Sequence, residues 1–117
     1  TEIYRVLKPG GLLLLHVPNH FPLYGRLKFL LTNDIDTFSF FKDESRWTFP
    51  HIRFYEHGDS IDVCKTQGFE LVRDLSYHFA VFPFFSRFRI LDPLLRFFAA
   101  KYPNQFAAGF TFLLKKN

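Results

Sequence analysis

The sequence predicts an α/β fold, and three observations support that class. A continuous apolar run, Leu12-Leu13-Leu14-Leu15-His16-Val17, lies between Gly10-Gly11 and Pro18. Such a run is typical of a strand buried on both faces in the middle of a parallel sheet. Helical spacing occurs on both sides of it, and a second strand pattern closes the chain. At 117 residues the chain has room for one domain and not two.

Composition excludes several classes of protein. The net charge is +4, but Lys and Arg are scattered, so no nucleic-acid partner is expected. The single Cys64 allows no internal disulfide and gives no metal-ligand spacing, which favours a reducing, cytoplasmic compartment. No apolar run approaches the roughly 20 residues that span a bilayer. With 18 Phe, a domain of this size cannot bury every aromatic ring in its own core.

The first half of the chain predicts a helix, a strand and an insertion. Ile3, Val6 and Leu7 share a helix face, and Pro9 ends that helix at Lys8. Because helical spacing begins with the first residues, we expect residues 1–117 to be a single partial domain of a longer protein. Residues 20–50 form an insertion, helical over 21–31 and then aromatic, acidic and rich in turns.

The second half predicts a helix over 58–67, a strand over 70–75 and a final strand over 106–115. Gly68 is placed to end the helix in a left-handed conformation. Residues 79–103 form a second insertion, with a helical stripe of Leu91, Leu94, Leu95 and Phe98. In the final strand, Phe110 and its alternate neighbours share one face.

Three segments, in order along the chain, resemble one known family. Residues 2–11 (E-I-Y-R-V-L-K-P-G-G), with the four Leu and Val17-Pro18-Asn19, resemble the region around the fifth strand of class I S-adenosylmethionine-dependent methyltransferases, type 11. Residues 51–55 and 68–72 resemble the family's H-x-R-x-F region and the start of its sixth strand. Residues 109–116 resemble its last, antiparallel strand. The resemblance implies the C-terminal half of a Rossmann-like sheet, two parallel strands plus a final antiparallel strand between them, with two helical or aromatic insertions.

The resemblance also implies an activity: methyl transfer from S-adenosylmethionine to an oxygen, nitrogen or carbon of a small or lipid-like acceptor. The family's glycine-rich loop and ribose-binding acidic residue are absent, and Gly10-Gly11 lacks the G-x-G spacing and precedes a strand. This chain would therefore supply the acceptor side of an enzyme that is active only as the full-length protein. A non-catalytic binding or scaffold module and a membrane-interface protein are the alternatives.

Two candidate site residues follow the apolar run, where α/β sheets bind their ligands. His20 is the candidate catalytic base, and Asn19 is placed to hold a substrate hydroxyl. The alternative is an Asn that caps the next helix, followed by a solvated His.

Four more candidates lie in or beside the first insertion. His51 and Arg53 alternate onto one face and could bind a polar or anionic group, unless Arg53 pairs with an acidic neighbour. Tyr24 and Trp47 either line the acceptor pocket, where a lid excludes water, or pack the insertion onto the core.

Residues 79–102 interleave Phe with Arg. A basic and aromatic amphipathic segment of this kind either covers a lipid-like acceptor or rests on a membrane interface, which would make the protein cytoplasmic and peripheral to the membrane. The alternative is a homodimer contact or a lid on the protein's own core.

Overall fold

The computed structural model describes residues 2–32, 55–80 and 89–117. Within these ranges the fold is mixed α/β, as the sequence predicts. The helices are α1 (Glu2–Val6), α2 (Leu23–Thr32), α3 (His57–Thr66), α4 (Asp92–Lys101) and α5 (Pro103–Phe106). The strands are β1 (Leu12–Pro18), β2 (Phe69–Asp74) and β3 (Gly109–Lys116). Two short 3-10 turns, Ser76–Phe79 and Arg89–Leu91, precede α4.

The three strands form one sheet in the order β1-β3-β2. β3 is antiparallel to both neighbours, with Leu15 opposite Phe112 and Leu71 opposite Leu114. β1 and β2 therefore run in the same direction, with β3 between them. The last strand is antiparallel and lies between two co-directional strands, as predicted. The parallel neighbours predicted for β1 are not seen among the described strands, which form a three-stranded antiparallel sheet.

The prediction that β1 is buried on both faces is wrong for the described part of the chain. Leu13, Leu15 and Val17 are half-buried, but Leu12 and Leu14 are 58% and 64% exposed. β1 lies at an edge of this sheet, and Leu12, Leu14 and His16 on one of its faces are all exposed. Toward the carboxyl end of that face, the ring of Phe79 lies 5.1 Å from that of His16. The apolar run therefore behaves as a strand with one packed face.

β3 is the buried strand instead. Phe110 and Phe112 are completely buried, Leu114 nearly so, and they pack with Cys64 of α3 and Phe69 of β2. Burying side chains of this size contributes about 1.5–3 kcal/mol each, so β3 anchors the core. Cys64 lies on the face of α3 that packs against the sheet, and burial raises the pKa of its thiol.

The turn at residues 8–11 is a structural junction between α1 and the end of β3. The ammonium of Lys116 donates to the carbonyl oxygens of Tyr4 (2.6 Å) and Leu7 (2.8 Å), at the C-terminal end of α1. Gly10 takes a φ of +75°, and its amide donates to the Lys116 carbonyl oxygen at 2.9 Å. Glycine is needed here because other residues rarely adopt that conformation.

The turn between α3 and β2 has the predicted left-handed glycine. Gly68 has a φ of +90°, and its amide donates to the Lys65 carbonyl oxygen at 2.9 Å. A Cβ at this position would lie 2.9 Å from the ring of Tyr4, so the close approach also requires glycine. The same ring meets Phe69 edge-on at 5.1 Å, which packs α1 against the start of β2.

The two helices of the predicted insertions are only partly packed. Gly25 is the single buried residue of α2, and Ala99 that of α4. Leu91, Leu95 and Phe98 of the predicted stripe are half-buried, whereas its fourth member, Leu94, is exposed. Both helices pack against α5, a short helix that the sequence pattern does not predict.

Candidate functional site

A cleft of about 330 Å³ opens beyond the carboxyl end of β1. The loop after β1, the first half of α2, the start of α3 and the short α5 enclose it. Its lining comprises Asn19, Phe21, Arg26, Tyr55, Glu56, Asp59 and Asn104. Because β1 and β2 run in the same direction, the carboxyl ends of both strands lie at this edge of the sheet. This is the edge where open α/β sheets bind ligands.

Asn19 is buried, and its side chain is occupied by hydrogen bonds within the protein. Its Nδ2 donates to the carbonyl oxygens of Asn104 (3.0 Å) and Ala107 (2.8 Å), and its Oδ1 accepts from the backbone amide of Phe21 (3.1 Å). Both amide protons are therefore used. Asn19 fixes the loop after β1 to the segment that precedes β3, and it forms one wall of the cleft.

Asn104 connects α5 to the beginning of α3. Its Oδ1 accepts from the backbone amide of His57 at 2.8 Å, and its Nδ2 donates to Oε2 of Glu56 at 3.4 Å. The first turn of a helix has amide groups with no helical partner, and Glu56 makes no side-chain cap of its own. Asn104 thus caps α3 from a distant part of the sequence. No local spacing in the sequence marks it for this role.

The charged groups of the cleft have both signs. Glu56 and Asp59 lie at the start of α3, where the helix dipole favours negative charge. Arg26 comes from α2, and its Nε donates to the Phe21 carbonyl oxygen at 2.8 Å. That bond uses one of the five guanidinium N–H groups. With the rings of Phe21 and Tyr55, the cleft suits a ligand that has both a flat apolar part and polar groups.

The other five candidate residues fall into two groups: described residues that do not line the cleft, and residues outside the described ranges. His20 is buried and Tyr24 half-buried, and neither is among the described residues that line the cleft. Trp47, His51 and Arg53 lie outside the described residues. The structure thus brings Asn19 to the cleft and adds residues that the sequence pattern does not assign to a site: Arg26, Glu56, Asp59 and Asn104.

A second polar cluster lies at the same edge of the sheet, at the end of β2. The Nε2 of His57 and Oδ2 of Asp74 are 2.6 Å apart, and Oδ1 of Asp74 accepts from the amide (2.9 Å) and hydroxyl (2.6 Å) of Ser76. The Ser76 Oγ in turn accepts from the amide of Thr111 at 3.0 Å. His57 packs edge-on against Phe110, with ring centroids 5.4 Å apart. The cluster ties α3, β2 and β3 together.

The protonation of this cluster follows from its contacts. Burial raises the pKa of the Asp74 carboxyl, but hydrogen bonds from His57 and Ser76 and the charge of His57 outweigh it, so the pKa lies below its ordinary value. The Ser76 hydroxyl donates to the carboxylate and not to the imidazole. The order of contacts therefore differs from a Ser-His-Asp triad, in which the imidazole accepts the serine proton.

The described residues contain no group of three or more His, Cys, Asp and Glu side chains that could hold a metal ion. Across those same ranges, every helix is too short or too polar to cross a bilayer. No family model, curated protein or solved structure matches the chain.

Proposed function

We propose that this chain is the acceptor-binding side of a class I S-adenosylmethionine-dependent methyltransferase. The strand arrangement carries the proposal: β3 lies antiparallel between two co-directional strands, as the resemblance of residues 2–19, 51–55, 68–72 and 109–116 implies. The cleft supports it further, because it lies beyond the carboxyl end of β1, where ligands of such sheets bind.

The glycine turn at residues 10 and 11 does not fit the cofactor. The amide of Gly10 donates to the Lys116 carbonyl oxygen and that of Gly11 to the Lys8 carbonyl oxygen, each at 2.9 Å. These amides are therefore not free to hold a carboxylate or a ribose. In the proposal, another part of a longer protein binds S-adenosylmethionine, and this chain contributes the acceptor pocket.

The chain's own contribution is to bind and orient the acceptor. Methyl transfer is a displacement in which alignment of the two reactants supplies much of the rate. Phe21 and Tyr55 can pack against an apolar acceptor, while Asp59 and Glu56 can accept hydrogen bonds from its hydroxyl or amino group. A carboxylate in that position can also take the proton that the nucleophile loses.

The experiment uses the natural gene product that carries this chain. It is incubated with methyl-tritiated S-adenosylmethionine and, separately, with a lipid extract and an aqueous metabolite extract of the source cells. We expect label in one extract, which distinguishes a lipid-like from a small polar acceptor. Absence of transfer to either extract would contradict the enzymatic proposal.

The cleft is tested with two matched variants on α3. Asp59→Asn changes a carboxylate that lines the cleft, whereas Asp62→Asn changes an exposed one that does not. We expect Asp59→Asn to raise the KM for the acceptor by about tenfold or more, as when a charged hydrogen-bond partner is lost. Affinity for S-adenosylmethionine should stay unchanged in both variants. Equal effects of the two substitutions would remove the cleft from the mechanism.

A non-catalytic, methyltransferase-like module is the second candidate. The observation in its favour is the turn at Gly10 and Gly11, whose amides bond only within the protein. Calorimetric titration of the gene product with S-adenosylmethionine separates the two candidates. Micromolar binding supports the enzyme, and absence of binding supports the module.

A further inference from the structure

Helix α2 leaves a stripe of leucines in solvent. Leu27, Leu30 and Leu31 follow the i, i+3, i+4 spacing that places side chains on one helix face. Leu30 and Leu31 are 77% and 81% exposed, while Gly25 is the only buried residue of the helix. The fold therefore gains little from these leucines, although each carries a large apolar side chain.

Helix α4 has a second outward stripe. Ile90, in the turn that leads into α4, and Leu94 and Phe97 are exposed, with Ile90 at 86%. Their spacing of i, i+4, i+7 again describes one face. The next face around the helix, about 100° away, supplies the half-buried Leu91, Leu95 and Phe98 to the fold. The outward stripe is therefore separate from the residues that pack this segment onto the fold.

The charges beside these stripes are basic. α2 contains no acidic residue and exposes Arg26. α4 exposes Arg96 and Lys101, and its only acidic residue, Asp92, is half-buried. Pairing of two copies through these stripes would bring like charges together. An anionic lipid surface would instead accept the apolar side chains and attract the cations.

We propose that the outward stripes of α2 and α4 dock this protein on an anionic membrane surface. Neither helix is long enough to cross a bilayer, so both would lie in the headgroup region. Both pack against α5, which contributes Asn104 to the cleft, and α2 contributes Arg26. Docking would therefore engage one helix that lines the cleft and another that packs against a cleft-lining element. The inference does not depend on methyl transfer, since the surface would bind lipid whether or not the cleft acts on it.

The test is co-sedimentation of the natural gene product that carries this chain with vesicles of phosphatidylcholine alone or with added phosphatidylglycerol. We expect binding at least about tenfold stronger to the anionic vesicles, and weaker binding at high salt, because salt screens the attraction. Leu30→Asp/Leu31→Asp and Leu94→Asp/Phe97→Asp should each weaken binding by about tenfold or more, since the charged side chains resist insertion.

The matched control is Ile3→Asp/Val63→Asp, which places the same charge change on exposed apolar residues of α1 and α3. We expect it to bind within about twofold of the unaltered chain, as surface changes outside a site do. Alanine versions of the two stripe pairs, which preserve helix propensity, replace any aspartate variant that fails to fold by circular dichroism. Absence of binding by the unaltered chain, an equal loss in the control, or a loss confined to one stripe would overturn the proposal. So would a dimer in sedimentation equilibrium that the stripe variants dissociate.

Discussion

His57 and Asp74 join the start of α3 to the end of β2 through a 2.6 Å contact between Nε2 and Oδ2. The carboxylate also accepts two hydrogen bonds from Ser76, so one charged group holds three parts of the fold. Such a group couples the stability of the domain to pH, because its contacts favour the ionised form.

We expect Asp74→Asn to lower the free energy of unfolding by about 1 kcal/mol at pH 7, a value reduced for solvent screening of this partly exposed group. The folded-state pKa of Asp74 lies below its unfolded value. Its contribution is therefore complete above about pH 5 and is lost as the pH falls through the folded-state pKa. Urea unfolding at several pH values measures this, and the difference between the unaltered chain and the variant should shrink in acid. Asp62→Asn is the control, and an equal effect there would contradict the assignment.

Alanine substitutions at Gly68 and Gly58 should change the free energy of unfolding in opposite directions. Gly68→Ala forces a Cβ against the Tyr4 ring at a φ of +90°, so we expect a loss of about 1–3 kcal/mol in unfolding free energy. Gly58 lies in α3 with open space around its missing Cβ, and Gly58→Ala should gain up to about 1 kcal/mol because alanine favours helix. Guanidinium unfolding compares the two. A shift of both variants in the same direction would contradict the turn geometry.

Phe112 is completely buried in the central strand. We expect Phe112→Ala to cost about 3–5 kcal/mol, which a small domain barely tolerates, and Phe112→Leu to cost about 1.5 kcal/mol or less. Val72→Ala, at a half-exposed position of β2, should stay within about 0.5 kcal/mol. The three substitutions are ranked by chemical unfolding, and a different order would mean that the core lies elsewhere.

Substitution of Asn19 tests whether this residue has a structural role or a role in binding. Asn19→Ala removes three hydrogen bonds at a buried position, and we expect it to lower the free energy of unfolding by about 2–3 kcal/mol. The control, Asn117→Ala, alters an exposed side chain and keeps the backbone oxygen that accepts from Tyr4. If Asn19→Ala is as stable as the unaltered protein in thermal unfolding, Asn19 has no structural role and acts only in binding.

The sequence predicted the positions of the helices and strands better than the burial of their side chains. Turn chemistry at Gly10 and Gly68 is local, so the boundaries of β1 and α3 followed from it within a few residues. Burial is not local: β1 reads as the more apolar strand, yet β3 is the buried one. The central place of β3 followed only from the family resemblance, because strand order depends on pairing across the whole chain.

The cleft was predictable only in its location. The rule that ligands bind beyond the carboxyl ends of strands pointed to Asn19. Its partner Asn104 and the α3 carboxylates come from distant segments, and no fixed spacing connects them to the strand. Exposure of the leucines of α2 was also unpredictable, because helical periodicity identifies an apolar face without stating what it contacts.

The hydrogen bonds from Lys116 to the carbonyl oxygens of Tyr4 and Leu7 also bear on the order of folding. The contact of Lys116 with the carbonyl oxygen of Tyr4 spans 112 positions of the chain. Pairing of β3 with β1, which brings Leu12 opposite Lys115, closes a loop of nearly the same length and is slow and entropically costly. We expect α3 and β2 to form early and the sheet to close last. Lys116→Met should then accelerate unfolding and leave the folding rate in stopped-flow experiments nearly unchanged.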